Sequence, residues 1–367
     1  MTLNKLHINK SGRIFLYGIL LIILTAACED IYHPELKDAI NLPVIEARLT
    51  NNPAFNYIKL NKTTHFLDDF LAKDIPNAKV EVLQENGTIL PAKHTVTGLY
   101  NFPYQLECGK SYKIRVTLDK ETYESSWETL PPVPHIDEFH VERDTLVDIF
   151  PNTYGIPTRH YTPGFSASVD ITASDSLKNY LFRYHSILQY INPKLKPMAV
   201  DTFLWTSFFH NASDNFVRPA KYSNNTLIKQ HKLMFHLKDY ITYIDTTIYN
   251  KARLHAYGTG WIFEIDQYGL TENAIDFYQK ITDQLNAKGK LFDPIYAQIK
   301  GNITCTSNPD KVMLGLFDLC SVKRHQYFVT NIDYKNIYYH KIDPVLDIPY
   351  EGLSAGVPPF FWQYPYK

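Results

Sequence analysis

From residue 43 onward, apolar and polar positions mostly alternate, the period of a strand with one buried face. Ile58 and Leu60 alternate with Lys59 and Asn61, and Ala78, Val80 and Val82 with Lys79 and Glu81. Tyr112, Ile114, Val116 and Leu118 alternate with Lys113, Arg115 and Thr117, and residues 44–49 follow the same period less strictly. Asn86-Gly87 marks a hairpin turn, Gly98-Leu99-Tyr100 starts another strand, and Asp119-Lys120-Glu121 turns the chain into 123–127. Short strands at this density predict an N-terminal immunoglobulin-like β-sandwich over 43–130. The likeness is one of architecture alone, because the Cys…Trp…Cys core pattern is absent.

Pro131, Pro132 and Pro134 then stiffen the chain, so 131–137 reads as a linker. Residues 138–367 read as a larger β-rich domain with one amphipathic helix, making the protein mainly β. Strands are predicted around Phe165, Ala167, Val169 and Ile171, then over 177–191, 227–237 and 252–265. Segment 192–218 reads as irregular. Over 271–288, Ala274, Phe277, Tyr278, Ile281 and Leu285 form one helical stripe, with Thr271 as N-cap, Glu272 in the first turn and Gly289 as the stop. Strands follow near 296–305, 312–317 and 325–330.

The start of the chain obeys another pattern. Lys5, Lys10 and Arg13 precede an apolar run over 14–24, too short for a membrane-spanning helix and within the range of a signal peptide. Leu24-Thr25-Ala26-Ala27-Cys28 resembles a bacterial lipobox in its looser form. That resemblance implies a signal peptide over 1–27, diacylglycerol on the Cys28 sulfur and a tether over 28–42. The fatty chains would hold the protein to a membrane without a spanning helix. The alternatives are an uncleaved anchor or an incidental cysteine. Glu29-Asp30 are similar to surface-export signals of Bacteroidota lipoproteins.

A net charge of −1 gives no electrostatic footing for nucleic acid. The 27 Tyr and 21 Phe, against 15 Gly, suit sheet faces and aromatic surfaces. Two clusters are candidate interface aromatics: Trp205, Phe208 and Phe209, and Phe360, Phe361 and Trp362. For both, core packing is the alternative. Cys305 and Cys320 either pair across a hairpin or are buried thiols, and Cys108 is left over. The catalytic motifs GxSxG, HExxH, GxxxxGK[ST] and GxGxxG are missing, so no catalytic residue or cofactor is expected. No metal site is expected either: Asp68, Asp69 and Asp74 lack calcium-loop spacing. His231 and His236 are five apart in a predicted strand and so fall on opposite faces. Asp144-Thr145-Leu146, Asp175-Ser176-Leu177 and Asp245-Thr246-Thr247 resemble a Bacteroidota O-glycosylation signal, which would place sugars on Thr145, Ser176 and Thr246.

Several stretches in order resemble a family of uncharacterised Bacteroidota outer-membrane lipoproteins, catalogued as a domain of unknown function. They are Cys28-Glu29-Asp30, strand 42–49, Pro76-Asn77-Ala78-Lys79-Val80, Gly98-Leu99-Tyr100 and the linker 131–136. Helix 277–285, Gly301-Asn302-Ile303 and Gly315-Leu316-Phe317 continue the match. Members are typically encoded beside TonB-dependent receptors. The resemblance therefore implies a lipid-anchored accessory protein of the outer membrane, on either leaflet, serving uptake or surface assembly. The competing expectation is a surface hydrolase of unfamiliar type with its site in the C-terminal domain.

Overall fold

The computed structural model describes residues 42–64, 73–96, 98–191, 203–209, 215–218, 227–237, 241–244, 254–286, 299–330 and 338–341. The first strands are β1 (Pro43–Leu49), β2 (Tyr57–Lys62), β3 (Lys73–Asp74), β4 (Lys79–Gln84) and β5 (Ile89–His94). They are followed by β6 (Tyr100–Asn101), β7 (Ser111–Leu118), β8 (Glu121–Ser125) and β9 (Glu128–Thr129). Longer strands come next: β10 (Glu138–Pro151), β11 (Pro157–Thr172), β12 (Asn179–Ile191), β13 (Phe203–Phe209) and β14 (Asn215–Val217). The series continues with β15 (Leu227–Leu237), β16 (Ile241–Ile244) and β17 (Leu254–Leu270). Helix α1 (Glu272–Asn286) precedes β18 (Ile303–Cys305), β19 (Leu314–Leu319), β20 (Ser321–Thr330) and β21 (Tyr338–Lys341). The fold is mainly β with one α-helix among the described residues.

Two sheets form the first sandwich, in orders β19-β1-β2-β3 and β18-β8-β7-β4-β5-β6. Alternation dictates which side chains face inward. Ile45, Ala47 and Leu49 meet Val80, Val82, Ile114 and Val116 in a common core. The Asn86-Gly87 hairpin forms as read: Gln84 N–H donates to Thr88 O, and Gly87 takes φ +89.

The second block does not stay on its own side of the prolines. Residues 303–305 and 314–319, read from the sequence as part of the second domain, pair with β8 and β1 of the first sandwich. The β1–β19 ladder is parallel and joins positions 44–49 to 314–319. Two glycines permit it. A Cβ on Gly315 (φ +106) would lie 2.0 Å from Ile45 O, and one on Gly301 1.7 Å from Gly315 O. Asn302 completes the joint, since its side chain both donates to Phe317 O and accepts from Phe317 N–H.

The second sandwich packs the sheet β10-β11-β15 on a larger one, β13-β12-β17-β20-β21, with β14 and β16 attached. Phe139, Phe165, Ala167 and Val169 meet Phe182, Trp261, Phe263 and Tyr327 between them. Segment 203–217, expected to be irregular, contains β13 and β14, which pair with β12. Its Trp, Phe and Thr are strand formers whose backbone is satisfied by β12.

Helix α1 begins as predicted: Thr271 O accepts from Ile275 N–H and Thr271 Oγ1 from Ala274 N–H. Ala274 and Ile275 are buried beside Tyr268, Leu316 and Cys320. The stripe does not stay buried to its end, because Leu285 is 80% exposed. None of the described helices is long and apolar enough to cross a membrane.

Candidate functional site

Cys28, Thr246, Phe360, Phe361 and Trp362 lie outside the described residues, as do Asp68 and Asp69. Trp205 is buried at 5% exposure, which removes it as a contact residue; pairing of β13 with β12 turns it inward. Phe208 and Phe209 sit on the same strand, opposite Ser186 and His185. Cys305 and Cys320 are free and buried in separate clusters, and Cys108 is free and exposed. Burial, followed by the charge of Asp318, pushes the Cys320 thiol well above its usual range, so it is not a nucleophile at neutral pH. Thr145 and Ser176 lie on exposed backbone.

Strand β15 slips register against β11 at Leu233, between His231 and His236. His231 is drawn into the core beside Phe182, burial lowers its pKa, and its Nε2 lies 2.5 Å from Asn215 Oδ1.

Strand β17 carries the densest polar chemistry. Trp261, Phe263 and Ile265 face the apolar core, whereas Glu264, Asp266 and Tyr268 alternate onto the other side. Register brings His185 and Gln326 opposite Glu264, and Arg183 and Arg324 opposite Asp266. His185 Nδ1 lies 2.8 Å from Glu264 Oε2, and Gln326 Nε2 donates to Oε1 at 2.6 Å. Arg324 clamps Asp266 with two bonds of 2.6 and 2.8 Å, and its Nη1 lies 3.6 Å from Glu264. Burial raises the Asp266 carboxyl above its ordinary value, against the pull of Arg324. Every oxygen of the two carboxylates is engaged inside this row. Its chemistry holds strands together rather than waiting on a substrate.

A second buried cluster joins the two sandwiches through β1, β17, β19 and α1; with the neighbouring β17 row, whose Arg324 lies over the Phe55 ring, it makes up the seam. Arg48 Nε donates to Asp318 Oδ2 at 2.8 Å, its Nη2 donates to Tyr278 Oη at 2.6 Å, and Tyr278 donates to the same Asp318 oxygen at 2.7 Å. The guanidinium also lies 4.9 Å from the centre of the Tyr268 ring. Asn51 pairs with the Val322 backbone in both directions, and Ser321 Oγ donates to Pro132 O.

The outward-facing chemistry is on β10 and β11. Strand β15 covers β11 only over Gly164–Thr172, so Thr145–Pro151 and Pro157–Pro163 run on as a two-stranded arm. Seven residues per strand carry it about 23 Å beyond the sheet. Asn152 builds the tip. Its N–H donates to Ile156 O, and its Oδ1 accepts from Tyr154 and Ile156 N–H. The arm exposes Ile149 (61%), Phe150, Tyr154 (86%), Ile156 and Tyr161. From 149 to 158 there is no charged residue. Soluble surfaces carry lone apolar side chains routinely, but here several stand exposed on both faces and at the tip of one projecting element.

At the root of the same ribbon lies the group among the described residues whose ligand atoms could hold a metal ion. Glu138, His140 and Asp170 bring one atom each within 4.8 Å of one another. Glu138-x-His140 is readable in the sequence as two ligands on one strand face; the cross-strand partner Asp170 is not.

A family model described as a domain of unknown function (DUF4249) matches residues 29–326. The chain belongs to that family. The DUF4249 match spans both sandwiches, from ahead of β1 into β20, and so includes the seam, the arm and the returning strands. No curated protein and no solved structure matches the chain.

Proposed function

We propose that this DUF4249 protein is a lipid-anchored accessory protein of the outer membrane that assists a TonB-dependent receptor in uptake or surface assembly. On this reading the two joined sandwiches form the body and the 145–163 arm its contact element. The observation that carries this reading is the arm itself, an aromatic-bearing hairpin with no charged residue from 149 to 158, which leaves its apolar side chains in water. Such surface costs solubility unless a partner covers it. Aromatic anchors of this kind dominate the energy of protein interfaces. The lipobox-like segment ending at Cys28 supports attachment to the membrane, and the resemblance to receptor-linked lipoproteins supports the choice of partner.

The hydrolase reading gains no comparable support, because the His185–Glu264 pair is engaged in the row that binds β12, β17 and β20. Purification of the native, membrane-extracted protein under mild detergent tests the proposal. Near-stoichiometric recovery of a TonB-dependent receptor is expected. Recovery of the lipoprotein alone, while other outer-membrane complexes stay intact, contradicts it.

A further inference from the structure

We infer that Glu138, His140 and Asp170 form a binding site for a divalent first-row transition cation, of which zinc is the type. The site lies on the outer face of the sheet β10-β11-β15. Strand alternation puts Phe139 and Val141 into the core and leaves Glu138 and His140 side by side outside. Antiparallel register then sets Asp170 directly opposite Glu138. One strand offers two ligands at positions i and i+2, and its neighbour offers the third.

Three features favour a cation there. First, two carboxylates face each other across a ladder, an arrangement that is destabilising without an intervening positive charge. Lys229 acts on Asp170 from β15, while Glu138 reaches the imidazole Nδ1 only at 3.9 Å. Second, His140 Nε2 is buried and lies 3.1 Å from Asp170 Oδ1, close to the spacing of two ligands on one ion. Two ligands of one tetrahedral ion stand about 3.4 Å apart for metal bonds of about 2.1 Å, with both lone pairs aimed at the ion rather than at each other. Third, Asp170 is already positioned, because Oδ1 accepts from the Gln230 backbone N–H at 2.7 Å. Such outer contacts orient metal-binding carboxylates. Glu138 is mostly exposed and turns in by rotation of its own side chain. One imidazole with two carboxylates suits zinc or a neighbouring transition metal; calcium and magnesium prefer oxygen throughout. Three protein ligands leave a fourth position open.

Titration of the full chain in detergent with zinc chloride, followed by calorimetry, tests the site. About one equivalent is expected to bind. Affinity should fall toward acid, because protons compete with the metal for its ligands. His140→Ala should weaken binding at least tenfold, and Glu138→Gln, which keeps size and shape, should weaken it without lowering the melting temperature of the metal-free protein. His94→Ala, an exposed histidine of the first sandwich, should leave binding unchanged. Cobalt in place of zinc should give a visible d–d band without a thiolate charge-transfer band, which separates this site from Cys108. Equal zinc affinity in the native chain, His140→Ala and Glu138→Gln overturns the inference, as does the absence of binding.

Discussion

The seam and the arm invert the usual distribution of side chains. Arg48, Asp318, Glu264, Asp266 and Arg324 are charged and largely removed from water, while Ile149, Phe150, Tyr154 and Ile156 are apolar and left in it. The difference lies in how each set is satisfied. In the seam each charge has partners inside the molecule: Asp318 Oδ2 accepts from both Arg48 and Tyr278, and Arg324 binds Asp266 through two nitrogens. On the arm the backbone is satisfied by cross-strand pairing and by the Asn152 turn, but the side chains are not covered. On the proposed reading the seam serves stability and the arm association, and substitutions should separate the two.

The largest effect is expected from Asp318→Ala. It leaves Arg48, itself mostly buried, without its carboxylate, and should cost about 3–5 kcal/mol in denaturant unfolding. Arg324→Met should cost about 3 kcal/mol at neutral pH by stranding Asp266 and Glu264. Its sign with pH is specific. Burial already holds the folded Asp266 pKa above the unfolded one, and removing Arg324 raises it further. The penalty is then full while the folded carboxylate is charged and fades as pH falls through its folded pKa. Unfolding of both proteins from pH 8 to pH 4 should show the gap closing toward acid.

Glu124 on β8 is an intermediate case, partly exposed and bound by Lys113 and Arg115. Burial alone would raise its carboxyl, but the two cations hold it below the ordinary value. Its contribution is present above the unfolded carboxylate pKa and is lost as pH falls through the lower folded one. Glu124→Gln should cost about 0.5–1 kcal/mol at neutral pH and nothing in acid, read from paired melting curves. The smallest stability effect belongs to the arm. Ile149→Ser, Phe150→Ser and Tyr154→Ser together should stay within about 0.5 kcal/mol of the native chain, since these side chains bury little.

What the sequence revealed tracks how local the signal is. Helix α1 was legible because its stripe and its Thr271 cap lie within one segment, but Leu285 extends past the elements that cover the first turns. The β4–β5 hairpin was legible through Asn86-Gly87. The parallel β1–β19 ladder was not, because its partners are 270 positions apart and only their glycines hint at a close approach. The burial of Trp205 and the exposure of Ile149 were hidden for a related reason. Trp205 and Ile149 both sit in apolar, β-forming runs; pairing with β12 buries the first, whereas the second lies past the end of β15. No feature of composition distinguishes those two fates.

Receptor recovery with and without the arm tests the central claim most directly. The native chain and the Ile149→Ser, Phe150→Ser, Tyr154→Ser variant would be purified in parallel from membranes, at matched expression and with melting temperatures measured. A TonB-dependent receptor is expected with the native chain, and at least a tenfold drop with the equally stable variant. Equal receptor recovery from both, or none from the native chain, would contradict it.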